Sequence, residues 1–144
     1  MTGEADTNNK SVLVVDDDEN LNELVCLALK DAGFESMSAY DGRSALKIAR
    51  NILPDIILLD IMLPDIDGRR ICEDLTENAS TMSIPVIIMS SMDDISSKIS
   101  AFIGGAKRYV TKTFDMSEII AEVRRALEQR RLSEMACCSR EDHG

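Results

Sequence analysis

The hydrophobic positions of this chain fall into short unbroken runs that alternate with stripes at helical spacing. SVLVV (11–15) is the first run, and it ends in DDDEN. Leu21, Leu24, Val25, Ala28, Leu29 and Ala32 then recur every three or four residues and are closed by Gly33, which predicts a helix. FESMSAY (34–40) is a weaker strand of mixed composition, suited to a sheet edge. Asp41 can cap a helix carrying Ala45, Leu46, Ala49 and Ile52; Pro54 ends it, and DIILLD (55–60) is the third strand. Ile71, Cys72 and Leu75 mark a short helix, and Pro85 introduces VIIMS (86–90). Ile95, Ile99, Phe102 and Ile103 form a fourth helical stripe, stopped by Gly104 and Gly105 before the strand RYVTK (108–112). Asp115 and Glu118 have capping-box spacing ahead of the last stripe, Met116, Ile119, Ile120, Val123 and Leu127.

Five strand–helix units in strict alternation predict a doubly wound α/β sandwich, with a parallel sheet and ligands at the carboxyl ends of its strands. Three of the strands are apolar on both faces, as strands covered by helices on both sides must be. The expected fold is flavodoxin-like: five parallel strands in the order 2-1-3-4-5 with five helices. Residues 1–10 read as a disordered lead, 11–130 as the domain, and 131–144 as a tail or the start of a linker.

Composition narrows the function. The 144 residues suit one domain, and the 44% hydrophobic and 29% charged content is that of a globular chain. With 3% aromatics and no Trp, the core must be aliphatic. A formal charge of −10 argues against direct contact with nucleic acid or an anionic membrane, both of which need clustered positive charge. No apolar run approaches the roughly 20 residues of a membrane span, and none serves as a signal core. The cysteines at 26, 72, 137 and 138 have no CxxC spacing, and the first two fall on helical stripes as small core fillers. A reducing cytoplasm is the expected location.

The chemistry gathers at one edge. Asp16 and Asp17 follow the first strand directly, and Asp60 ends the third, behind the run IILL. With strands one and three adjacent, all three carboxylates meet in the crevice where the winding reverses. Such crowding requires a cation, and all-oxygen donors with room for water suit Mg²⁺, with Mn²⁺ as an alternative. Ser90 ends the fourth strand and Lys112 the fifth. Either one alone would be an ordinary strand-end residue; four of five strands ending in such groups is a pattern. The set fits a phosphoryl group, with one carboxylate as nucleophile and the cation, Lys112 and Ser90 on its oxygens.

VLVVDDDEN (12–20), ILLDIMLPDIDG (57–68), PVIIMSS (85–91) and YVTKTF (109–114) together resemble the receiver domain of two-component response regulators, including the chemotaxis regulators. Ser90 stands 30 residues past Asp60 and Lys112 stands 52 past it. The resemblance implies that Asp60 accepts a phosphoryl group from a phosphohistidine on a sensor histidine kinase or phosphotransfer protein. It implies that Asp17 binds Mg²⁺ directly, Asp16 through a water, and Met62 through its backbone carbonyl. Ser90 and Lys112 would hold the phosphoryl oxygens, and Ser90 with Tyr109 would form the switch. The output face would be the fourth helix, fifth strand and fifth helix, engaging a downstream protein, an output domain of the same protein, or a second copy on phosphorylation. Such a protein is no enzyme beyond its own phosphoryl transfer and slow autodephosphorylation. Met62 and Met92, two residues past Asp60 and Ser90, would tune the lifetime of the phosphoryl group.

One position departs from the family pattern: Lys112 is followed by Thr113 where a cis proline is usual. A cis bond before a non-proline costs about 2.5–4 kcal/mol, so either the loop bears that strain or the peptide is trans. Two competing readings remain. A pseudo-receiver would bind partners without phosphorylation, but it usually loses acidic or lysine positions that are kept here. A haloacid-dehalogenase-type phosphohydrolase is suggested by DIDG (65–68), yet Asp65 follows Pro64 in a loop, whereas that nucleophile must follow a buried strand. A calcium loop at DDDEN fails because Leu21 stands where the turn glycine belongs.

Overall fold

A computed structural model of the chain describes residues 10–90, 108–111 and 115–143. The strands are β1 (Ser11–Val15), β2 (Glu35–Ala39), β3 (Ile56–Asp60), β4 (Val86–Ser90) and β5 (Arg108–Thr111). All pair in parallel in the order β2-β1-β3-β4-β5. The described helices are α1 (Glu19–Asp31), α2 (Gly42–Ile52), α3 (Gly68–Glu77) and α4 (Met116–His143). The expected helix through Ile95–Ile103 lies outside the described residues, as does the Lys112–Thr113 peptide.

Alternation along the strands sends neighbouring side chains to opposite faces. Leu13, Val15, Ile57, Leu59 and Ile88 pack with Ala45 and Ala49 of α2 and Ile71, Cys72 and Leu75 of α3. Val12, Val14, Ile56, Leu58, Ile87 and Met89 pack with Val25 and Leu29 of α1 and Ile119, Val123 and Ala126 of α4. Every residue of β3 and β4 is buried, which explains why those runs are continuous and not alternating. Each large aliphatic removed from water contributes about 1.5–3 kcal/mol, so these central strands anchor the fold. β2 is the mixed edge strand, with only Ala39 buried.

The helix ends follow the expected chemistry. Asp18 caps α1 through Leu21 N, Asp41 caps α2 through Ser44 N, and Asp115 accepts from Glu118 N. Two details differ from the sequence pattern. Leu24 and Ile52, placed on buried stripes by spacing, are both exposed; the inner face of α1 is built by Asn22, Val25, Cys26 and Leu29. The last helix also runs past the stripe that ends at Leu127, on to His143.

Cys26 and Cys72 are both buried free thiols, as core fillers should be. Burial pushes the Cys72 thiol up to about 12, with the charges of Asp67 and Glu73 adding to it. Its thiolate, the reactive form, is therefore suppressed.

Candidate functional site

The register of the sheet brings the acidic residues together. Val15 is paired with Leu59, so the next residues of the two segments, Asp16 just past β1 and Asp60 at the end of β3, emerge side by side. Asp16 and Asp60 are buried (0% and 2% exposed), while Asp17 faces solvent. One carboxylate oxygen from each of Asp16, Asp17 and Asp60 lies within 4.8 Å of the others. Each buried carboxylate is oriented by its own turn: Asp16 Oδ1 accepts from Asp18 N at 2.9 Å, and Asp60 Oδ1 accepts from Met62 N at 3.0 Å.

The donor set is wholly oxygen, concentrated at one point, and open to solvent on the Asp17 side. Those are the requirements of a small hard cation that keeps part of its water shell, so the residues present fit Mg²⁺.

The loop after Asp60 is held at both ends. Gly68 N donates to Ile61 O at 3.1 Å, closing it over seven residues' separation. A Cβ on Gly68 would stand 2.6 Å from Ile61 Cα, so only glycine permits this approach. Asp65, from the middle of the loop, accepts from Gly42 N at 2.7 Å and from Arg43 N at 3.1 Å. It thus caps α2 alongside Asp41, and the Gly42 amide, foremost among several backbone donors, holds its carboxyl below the usual range. This capping is the structural role of an aspartate that the DIDG reading would have made a nucleophile.

Ser90 ends β4 completely buried, one residue beyond Met89, the partner of Asp60. Tyr109 is paired with Ile88, and Ser90 lies two residues further along the same face of the sheet. Ser90 and Tyr109 are therefore diagonal neighbours on adjacent strands, with Tyr109 half-buried against the core. The side chain of Met62 is largely exposed (66%) beside Asp60. Lys112 and Met92 lie outside the described residues. Asp65 was weighed in sequence only as the nucleophile of the DIDG reading, and Asn22 was not singled out; for Asn22 the available signal was its spacing, three, four and seven residues before Val25, Cys26 and Leu29.

A five-stranded 2-1-3-4-5 sheet with an acidic cluster at its winding reversal defines a class of signalling domain. The family model of the response regulator receiver domain matches residues 12–124, and the chain belongs to that family. It is 38% identical over 118 residues to the DNA-binding dual master transcriptional regulator RpaA of Synechocystis sp., covering 82% of this chain and 49% of the relative. It is 37% identical over 133 residues to the alkaline phosphatase synthesis transcriptional regulatory protein PhoP of Bacillus subtilis, covering 92% and 53%. The chain thus spans about half the length of these relatives. Among solved structures it resembles the receiver domain of Francisella response regulator 1452 (TM-score 0.76, 30% identity, 84% and 98% covered). It also resembles NtrX from Brucella abortus (TM-score 0.87, 30% identity, 94% and 30% covered).

Proposed function

We propose that Asp60 is the phosphoacceptor of this receiver domain and that the donor is a phosphohistidine on a sensor kinase or phosphotransfer protein. The convergence of Asp16, Asp17 and Asp60 within 4.8 Å carries the reading. A carboxylate oxygen of Asp60 attacks phosphorus, the P–N bond to the donor imidazole breaks, and an acyl phosphate forms on Asp60. Bound Mg²⁺ supplies positive charge to the phosphoryl oxygens. Asp17, Asp60 and the Met62 carbonyl would hold the ion directly and Asp16 through a water, with Mn²⁺ as an alternative ion. Ser90 donates its hydroxyl to the phosphoryl group, and Lys112 neutralises it.

Movement of Ser90 towards the acyl phosphate then vacates space for its diagonal neighbour Tyr109, and the face around β5 changes. The output passes through that face to a downstream protein, an output domain of the same polypeptide, or a second copy of the chain. The chemistry is limited to the domain's own phosphorylation and its slow reversal. The free buried thiols accord with a cytoplasmic setting, and among the described residues no helix is long and apolar enough to cross a membrane.

Incubation with Mg²⁺ and acetyl phosphate is expected to add one base-labile phosphoryl group, detected by mass spectrometry. Asp60→Asn is expected to eliminate it. Label that persists on the variant sinks the assignment, and failure of the parent to take label favours a pseudo-receiver.

The lifetime of that group falls to Met62 and Met92. A thioether offers almost no hydrogen bond to an attacking water, and Met62 is exposed two residues past Asp60. Loss of label is expected to be slow and to speed up in Met62→Asn/Met92→Glu; an unchanged or slower rate refutes the role of these side chains.

A further inference from the structure

Asn22 is fully buried on the inner face of α1, among Val25, Cys26 and Leu29. A primary amide in such surroundings is costly unless its hydrogen bonds are made. Its Nδ2 makes them to the carbonyls of Val14 at 3.2 Å, Asp16 at 3.1 Å and Ala39 at 3.1 Å. Two protons serve three acceptors, so at least one is shared.

Those carbonyls belong to the end of β1, the turn bearing the acidic residues, and the last residue of β2. Asp16 N also donates to Ala39 O at 3.1 Å, so the turn and Asn22 converge on a single carbonyl. The amide is oriented from behind. Cys26 Sγ donates to Asn22 Oδ1 at 3.5 Å, and Ser38 Oγ lies 3.1 Å from the same sulfur. A flipped amide would set Oδ1 against three carbonyl oxygens, so the orientation is unique.

We propose that Asn22 is a positioning residue for the cation site, fixing the backbone from which Asp16 and Asp17 reach the ion. The proposal rests on the Mg²⁺ reading above. The Asp16 carbonyl lies in the rigid peptide plane that joins Asp16 to Asp17. Anchoring that oxygen to a packed helix fixes the plane, and with it the two Cα atoms from which both side chains leave the backbone. Turn residues otherwise have soft dihedrals, and a misplaced carboxylate loses its ion. Outer groups that orient metal ligands typically change affinity 10–100-fold when removed.

The test compares the parent with Asn22→Leu, similar in shape but without donors, and with Leu29→Ala, which weakens the same helix through its core contact. Mg²⁺ affinity is measured by calorimetric titration, and amide exchange at Asp16 and Asp18 is measured without metal. Asn22→Leu is expected to bind Mg²⁺ about tenfold more weakly or worse and to exchange faster at both amides. Leu29→Ala is expected to bind as the parent does. Asn22→Ser, too short to span three carbonyls, is expected to show the same loss and serves where leucine prevents folding. If the parent binds no Mg²⁺, the metal reading falls and this inference with it. If the parent binds and the Asn22 variants match it, or Leu29→Ala weakens binding equally, the positioning role alone is overturned.

Discussion

Three aspartates between the end of β3 and the start of α3 meet different partners, and the partners decide what each does. Asp60 meets two other carboxylates at a strand end, Asp67 caps α3 through Arg69 N, and Asp65 reaches back to cap α2. The Asp65 carboxyl is held low mainly by the Gly42 amide, with desolvation opposing it and further backbone donors, Arg43 N first among them, adding to the lowering. A group whose folded pKa lies below its unfolded value stabilises above the unfolded value and loses that contribution as pH falls through the folded one. Asp65→Ala is therefore expected to lower the denaturation midpoint at neutral pH. The gap to the parent is expected to narrow once pH drops below 3.8, the ordinary value for this group. Urea titrations at a series of pH values check this, and a gap that is constant or widens towards acid contradicts the capping role. Asp65 was open to misreading in sequence because DIDG does not reveal which amides a loop carboxylate will face.

At the scale of elements, the strands were legible because burial on both faces leaves continuous runs: SVLVV and VIIMS coincide with β1 and β4 to the residue, and DIILLD starts one residue ahead of β3. Helices were legible in kind but less so in facing. Spacing marked Leu24 as readily as Val25, yet only one side of α1 meets the sheet, and the polar Asn22 takes the inner position there. A buried amide looks like a surface residue until its backbone partners are known, and those partners come from β1 and β2, eight and seventeen residues away. The site followed the strands: once the order 2-1-3-4-5 was inferred, the meeting of Asp16, Asp17 and Asp60 was forced by topology. The far half of α4 gave no such signal. Among the described side chains there, Leu132 and Met135 are exposed, and ion pairs such as Arg130–Glu134 and Arg131–Glu128 line the helix.

For the whole molecule, the acidic cluster couples function to stability. The chain carries a formal charge of −10, and the site concentrates three carboxylates where two are shielded from water. Their mutual repulsion acts against the folded state, in which alone they are held together. A cation that binds only the folded state reverses this and adds RT ln(1 + [L]/Kd), about 2.7 kcal/mol at a hundredfold excess over Kd. For a domain of this size each kcal/mol moves the melting temperature by about 2–8 °C. Millimolar Mg²⁺ is therefore expected to raise Tm by several degrees over chelator at equal ionic strength. Asp17→Ala separates ligation from bulk charge, since Asp17 is exposed and packs in no core. In chelator this variant is expected to melt at or above the parent temperature, because one of the three repelling charges is gone. With Mg²⁺ its Tm is expected to stay where it was. Scanning calorimetry in the two buffers gives all four values, and an Mg²⁺ shift that survives Asp17→Ala places the ion somewhere other than this cluster.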